Sequence, residues 1–362
     1  MKSRSRTTIA SALLLSTLAV LGGCGGDDRT AIRSITVFGD SLNDVGTYAV
    51  VTGSPDNPGK FTVNPGRVWV ENIAAYYGLD LKPNRSLTLD RDASGGATTT
   101  VGTATVLGGN AYAEGGARVA QLPSESGIGN NQLVAPVKTQ VANYLAVHPS
   151  FPSDGLVLIG GGGNDTFAQF SAICWGTDDN GIGAGNTTIA SATQFIAAAA
   201  NAQLASVQLI KAKGAGIVFV AGAGDWSGNP FASYYLSSAY QAKGCYAPVT
   251  ASQISEWTRQ FNQVLQDGIR QLPGVVYLNP ADAFAPALVD PKRYGLVNVT
   301  DPACTNTKPT ASAVFCTRQT LVTPDADQTY FWSDAFHPTP RGHQILSDRA
   351  LDLLNTVARP AN

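Results

Sequence analysis

Short apolar runs punctuate the chain at Ile35–Phe38, Leu156–Ile159, Ile217–Val220 and Val275–Leu278. Each spans only a few residues, is rich in β-branched and long apolar side chains, and reads as a buried strand. Between these runs the apolar positions switch to helical spacing. Helices are predicted over Val68–Tyr77 and Val134–Val147. Ile196, Ala200, Leu204, Val207 and Ile210 then mark one face of a long helix, and Ile254, Trp257, Phe261, Leu265 and Ile269 one face of another. A last helix starts near Pro340, a residue suited to the first helical position, with Leu346, Ala350, Leu353 and Val357 turned inward. Buried strands alternating with amphipathic helices predict an α/β fold whose parallel sheet carries helices on both faces. Gly/Ser/Thr-rich stretches at Asn84–Gly109, Gly176–Thr188 and Asn298–Ala326 read as surface insertions on that frame. There is no internal repeat and no strong linker, so one domain is the simplest account.

The first residues stand outside the pattern. Lys2, Arg4 and Arg6 precede an apolar stretch from Ile9 to Leu21 that runs into Gly22-Gly23-Cys24. That stretch is shorter than the ~20 apolar residues of a membrane span, and its basic start predicts a signal peptide over residues 1–23. Leu21-Gly22-Gly23-Cys24 resembles a bacterial lipobox. Cys24 is then the expected lipidated residue, residues 24–33 an anchor and short linker, and residues 34–359 the folded domain. An exported lipoprotein follows, held to a membrane through Cys24. It belongs on the outer membrane of a Gram-negative host, because Gly25 rather than Asp follows Cys24; secretion to periplasm or medium is the alternative.

Composition supports a folded, loop-rich protein: 44% of the 362 residues are hydrophobic and 14% charged, with 38 glycines and 20 prolines. Loss of residues 1–23 removes three basic and no acidic residues and takes the formal charge from −2 to −5. No basic patch points to nucleic acid. Besides Cys24 there are Cys174, Cys245, Cys304 and Cys316, an even number in an exported chain, which predicts two disulfides. Of the three connectivities, Cys304 with Cys316 closes a short Thr- and Ala-rich loop and is favoured, leaving Cys174 with Cys245. A zinc site lacks C-x-x-C or histidine spacing.

The first strand ends in Phe38-Gly39-Asp40-Ser41-Leu42-Asn43-Asp44. Ligands of doubly wound sheets sit beyond the carboxyl ends of strands, which is where Ser41 falls. A lone Gly-Asp-Ser is more often a helix cap than a nucleophile. The odds change near the other end, at Ser333-Asp334-Ala335-Phe336-His337-Pro338. A serine hydroxyl needs a base to take its proton and an acid to orient that base, and Asp334 and His337 can supply both from one turn. The other histidines, His148 at a helix exit and His343 on the last helix, suit structural roles. Ala113-Glu114-Gly115-Gly116-Ala117 and Gly162-Gly163-Asn164-Asp165 can furnish the N–H donors of an oxyanion hole. G-x-S-x-G, the signature of the standard α/β-hydrolase fold, is absent.

Taken in order, Gly39-Asp40-Ser41-Leu42, Gly115-Gly116, Gly162-Gly163-Asn164-Asp165 and Asp334-Ala335-Phe336-His337 resemble the four blocks of the GDSL, or SGNH, hydrolases. Arg67-Val68-Trp69-Val70-Glu71 and Pro291-Lys292-Arg293-Tyr294-Gly295 look similar to the branch of secreted lipases and lecithinase-like enzymes. The resemblance implies a three-layer α/β/α, flavodoxin-like fold with a mostly parallel central sheet of about five strands. It implies Ser41 as nucleophile, Asp334 and His337 as its partners, and Ser41, Gly116 and Asn164 as oxyanion donors. No metal or cofactor is called for. The sequence departs from the family at Val45 and Thr47, and Asn110 opens the second block one place early. The implied reaction is hydrolysis of lipid or short-acyl esters through an acyl-enzyme. An acyltransferase or a carbohydrate O-acetylesterase would use the same triad, and a surface-binding lipoprotein without activity is the reading from another class.

Overall fold

The four apolar runs lie side by side. In chain order the strands are β1 (Thr30–Ile32), β2 (Ser34–Phe38), β3 (Arg85–Arg91), β4 (Ala97–Val106), β5 (Gly155–Ile159), β6 (Ile217–Ala221), β7 (Val275–Leu278), β8 (Asn298–Pro302), β9 (Tyr330–Trp332) and β10 (Ala358–Pro360). The helices are α1 (Ala49–Thr52), α2 (Trp69–Tyr76), α3 (Val137–Val147), α4 (Gly163–Cys174), α5 (Ile189–Ala212), α6 (Pro230–Tyr235), α7 (Ser238–Gly244), α8 (Ala251–Ile269), α9 (Pro280–Val289), α10 (Ala326–Thr329) and α11 (Pro340–Leu354). This computed structural model describes residues 28–91, 97–124, 133–176, 187–305 and 312–361. The expected signal peptide and Cys24 lie outside the described residues, as do parts of the three Gly/Ser/Thr-rich stretches. Among the described residues no helix is long and apolar enough to cross a membrane.

The central sheet runs β2-β5-β6-β7, all parallel. A fifth position, beside β2, is taken by the segment around Ala111: Val37 N–H donates to Asn110 O at 3.1 Å and Tyr112 N–H to Val37 O at 2.7 Å. Alternation along each strand sorts the side chains into two cores. Phe38, Val157, Ile159, Val218 and Val220 pack under α3, α4, α5 and α8. Ile35, Val37, Leu156, Leu158, Ile217 and Phe219 face the other way, against α2, α9 and α11. Both faces are covered, which is why these runs read as continuously apolar.

Helix starts follow side-chain chemistry. Thr250 and Thr339 cap α8 and α11 by accepting from Gln253 N–H and Gly342 N–H, and Pro340 occupies the first turn of α11. The inward face of α11 differs from expectation at its end: Leu354 rather than Leu353 is fully buried, and the helix stops before Val357. The folded unit also begins earlier than residue 34, since β1 pairs in parallel with β10.

The stretches read as insertions are built differently. Residues within Asn84–Gly109 form the antiparallel β3–β4 pair. Asn298–Ala326 is more than a surface loop: β8 pairs with β9, and Ala313, Val314 and Cys316 are fully buried. Disulfides join Cys174 to Cys245 and Cys304 to Cys316, with Cα–Cα distances of 4.2 and 5.8 Å.

Candidate active site

At the carboxyl end of β2 the chain turns sharply. Gly39 has φ of +150°, and a Cβ there would run into the side chain of Asn43. Gln140 on α3 clamps the turn through its amide, accepting from Gly39 N–H and donating to Gly39 O, each at 2.8 Å. Asn43 closes it from the other side, donating to Phe38 O at 2.8 Å while accepting from Trp69 Nε1 at 2.9 Å. Asp40 accepts from Leu42 N–H at 3.1 Å and so caps a short 3₁₀ turn, Ser41–Asn43. Ser41 is thereby held at the head of that turn.

Ser333–Pro338, between β9 and α11, brings the other two residues to it. His337 Nε2 lies 2.9 Å from Ser41 Oγ, and His337 Nδ1 lies 2.8 Å from Asp334 Oδ2. Asp334 is buried and saturated with donors. Its Oδ1 accepts from Phe336 N–H at 2.8 Å and His337 N–H at 2.6 Å, and its Oδ2 from Ala313 N–H at 2.7 Å. Burial pushes this carboxyl up, but His337 and the N–H donors of His337 and Phe336 outweigh burial, and its pKa lies below the ordinary value. Asp334 is held as a carboxylate facing the imidazole.

The two glycine-bearing segments meet beside Ser41. Gly116 takes φ of +82°, and Gly115 has no room for a side chain because Phe61 lies against it. Gly115 N–H is spent on Asp44 Oδ2 at 2.9 Å, and Gly115 O accepts from Tyr48 Oη at 2.8 Å. Gly116 lines the cavity in front of Ser41. Among the described residues neither Gly116 N–H nor Ser41 N–H meets an acceptor. Asn164, in the first turn of α4, donates to Ala117 O at 3.0 Å. An amide has two N–H donors, which leaves one for a ligand. The neighbouring Asp165 accepts from Val119 N–H at 3.0 Å and ties the two segments together.

The charged groups around Ser41 are strongly displaced. Burial raises Asp40 to about 6 against the Leu42 N–H and the attraction of His337. Burial likewise raises Asp44 to about 6 despite the N–H donors of Thr47, Gly46 and Gly115. Burial lifts Glu114 to about 7, opposed chiefly by Arg85 at 2.9 Å. His343 sits at 0% exposure, accepts from Trp69 N–H at 3.2 Å, and is held down to about 3 by burial. It is a neutral packing residue, as expected, and His148 lies exposed at the end of α3.

All five expected residues, Ser41, Gly116, Asn164, Asp334 and His337, line one cavity of about 790 Å³. Among the described residues no group of His, Cys, Asp or Glu is arranged to hold a metal. Sequence reasoning missed three contributors. Asp44 stood in the first motif without a role. Gln140 carried no local signal. Ala313 lay in a stretch read as surface.

A family model described as GDSL-like Lipase/Acylhydrolase matches residues 35–350. GDSL esterase/lipase 7 of Arabidopsis thaliana is 34% identical over 117 residues, covering 31% of this chain and 30% of that protein. The Arabidopsis thaliana GDSL esterase/lipase At1g71250 is 34% identical over 108 residues, 28% of each chain. The chain thus matches less than a third of the length of these curated relatives. A solved extracellular lipase from Streptomyces rimosus aligns over 90% of this chain and 100% of its own at 16% identity, with a TM-score of 0.40.

Proposed function

This chain belongs to the GDSL-like lipase/acylhydrolase family, and from that premise we propose that it hydrolyses carboxylic esters through a serine acyl-enzyme. Ser41 Oγ attacks the ester carbonyl while His337 Nε2 takes its proton, and Asp334 stabilises the imidazolium that forms. The carbonyl oxygen, now negative, is met by Ser41 N–H, Gly116 N–H and the free N–H of Asn164. His337 returns the proton to the departing alcohol. Water, activated by the same imidazole, then releases the acid and restores Ser41.

The observation that carries this reading is the single imidazole between 2.9 Å from Ser41 Oγ and 2.8 Å from Asp334 Oδ2. The test is labelling with a fluorophosphonate together with release of p-nitrophenol from acetate and butyrate esters. The parent protein takes up one label at Ser41 and turns over the esters, and Ser41→Ala does neither. Turnover by Ser41→Ala at the parent's rate would end the proposal. We further propose that the protein is exported and tethered through lipidated Cys24, so that Cys24→Ala releases it from the membrane fraction. A parent protein already soluble in periplasm or medium refutes the tether.

A further inference from the structure

One wall of the cavity is made almost wholly of rings. Phe167, Trp175, Trp226, Phe231, Tyr235 and Phe336 line it, drawn from α4, the loop after β6, α6 and the turn that carries His337. Phe167 is one helical turn beyond Asn164, and Phe336 is next to His337, so the wall begins at the reacting centre. The rings hold one another: Phe167 and Phe336 are 5.3 Å apart, Phe231 and Phe336 4.3 Å, and Phe167 and Trp226 5.8 Å. Behind them, Cys174–Cys245 fastens the end of α4 to the end of α7. The wall is a fixed surface.

It is largely apolar, although Ser171 Oγ and Asn229 Nδ2 on the cavity lining meet no partner among the described residues. Trp226 Nε1 donates to Thr166 Oγ1 at 2.9 Å and Trp175 Nε1 to Tyr240 Oη at 3.1 Å, so both indole N–H groups are engaged within the protein. Asp225 is engaged by Ser255 Oγ at 2.7 Å and Ser227 N–H at 2.9 Å. No Lys or Arg is among the described residues that line the cavity, so a phosphate or carboxylate on the substrate meets no cation there.

We infer that this site selects esters bearing an uncharged aromatic ring, on the acyl or the alcohol side, with that ring against Phe167 and its neighbours. The inference rests on the ester-hydrolase reading above. A planar guest gains ring-to-ring contact with side chains already in place. An alkyl chain of equal carbon count gains burial but must freeze its rotamers to lie against a rigid wall.

The test uses matched esters with the full-length protein. On the acyl side methyl 3-phenylpropanoate is set against methyl nonanoate, and on the alcohol side benzyl acetate against heptyl acetate, all below their aggregation concentrations. The aryl ester is favoured in kcat/KM by about tenfold on at least one side, the worth of one to two ring contacts. Phe167→Leu, which keeps an apolar side chain and removes the ring, brings that ratio down about threefold. Parity or preference for the alkyl esters on both sides overturns the inference, and so does a ratio that Phe167→Leu leaves unmoved. Binding of the same four esters to Ser41→Ala, followed by tryptophan fluorescence, separates the two readings. If the parent turned over no ester while Ser41→Ala still bound the aryl esters preferentially, the hydrolase reading would fall and the aromatic site would stand.

Discussion

Replacing Asp40 by Asn should make the protein more stable at neutral pH. Asp40 is buried, and burial raises its carboxyl from 3.8 to about 6. A carboxyl raised in the folded state binds its proton more tightly there than in the unfolded chain. Its contribution is therefore fully favourable below about pH 4 and is lost as pH rises through about 6. At roughly 1.4 kcal/mol per pKa unit, the ionised side chain costs up to about 3 kcal/mol at pH 8. Asparagine carries no charge and keeps the Oδ1 acceptor that Leu42 N–H uses, so the turn cap survives. Allowing for the burial of an amide, the net gain is about 2 kcal/mol. Urea unfolding followed by tryptophan fluorescence at pH 8 and at pH 4 measures it as variant minus parent. The difference is needed because His343, held down to about 3, destabilises the parent as pH falls below 6.5. The variant should gain about 2 kcal/mol at pH 8 and nothing near pH 4. A loss at pH 8, or a gain that persists at pH 4, would refute the electrostatic argument. Turnover should fall as stability rises, because the Asp40 charge attracts the imidazolium of His337.

Asn164→Ala removes one of the proposed oxyanion donors and should lower kcat ~10²–10³-fold with little change in KM for a short ester. Asp44→Asn replaces a carboxylate that accepts from Gly46, Thr47 and Gly115 at 2.9, 2.7 and 2.9 Å by an amide with a single acceptor. One buried N–H loses its partner and Gly116 loses its alignment, so kcat should fall about tenfold or more, read from initial rates at saturating ester. Opening the short loop between Cys304 and Cys316 with the double Ala variant should cost about 3 kcal/mol in denaturant unfolding. It should also lower turnover, because Ala313 N–H bonds Asp334 Oδ2 from inside that loop.

The frame was legible because each of its parts has a local cause. A parallel sheet covered on both faces needs strands that are apolar at every position, and Leu156–Ile159 and Ile217–Val220 are such strands. The amphipathic stripes of α5 and α8 face the sheet as their spacing requires, with Ile196, Val207, Trp257 and Phe261 at 0% exposure. Ser41, Asp334 and His337 could be picked out because the chemistry restricts residue type and the turns restrict spacing. Gln140 could not, since nothing on an amphipathic helix foretells that one polar residue on its buried side will clamp a turn in another element. The aromatic wall was hidden for a related reason. Phe167, Trp226, Phe231 and Phe336 read as ordinary apolar residues of their own segments, and only the fold shows that they share a surface.

The segments least readable in the sequence finish the site. Asn298–Ala326 has the composition of a loop, yet its Ala313 N–H bonds the carboxylate behind His337, and Ser312 beside it lines the cavity. Cys304–Cys316 fixes this segment, and Cys304 N–H bonds back to Ser333 O at 3.3 Å, next to Asp334 itself. The other disulfide, Cys174–Cys245, fastens α4, which carries Asn164 at one end and Trp175 just past the other. Each crosslink thus holds a different side of the cavity around Ser41: one holds Asp334 behind His337, the other the wall beside Asn164. A parallel sheet and its helices can place a serine at a strand end, but they leave the acid and the pocket to connecting segments with little secondary structure of their own. Covalent ties are a direct way to give such segments the rigidity that a preorganised site demands.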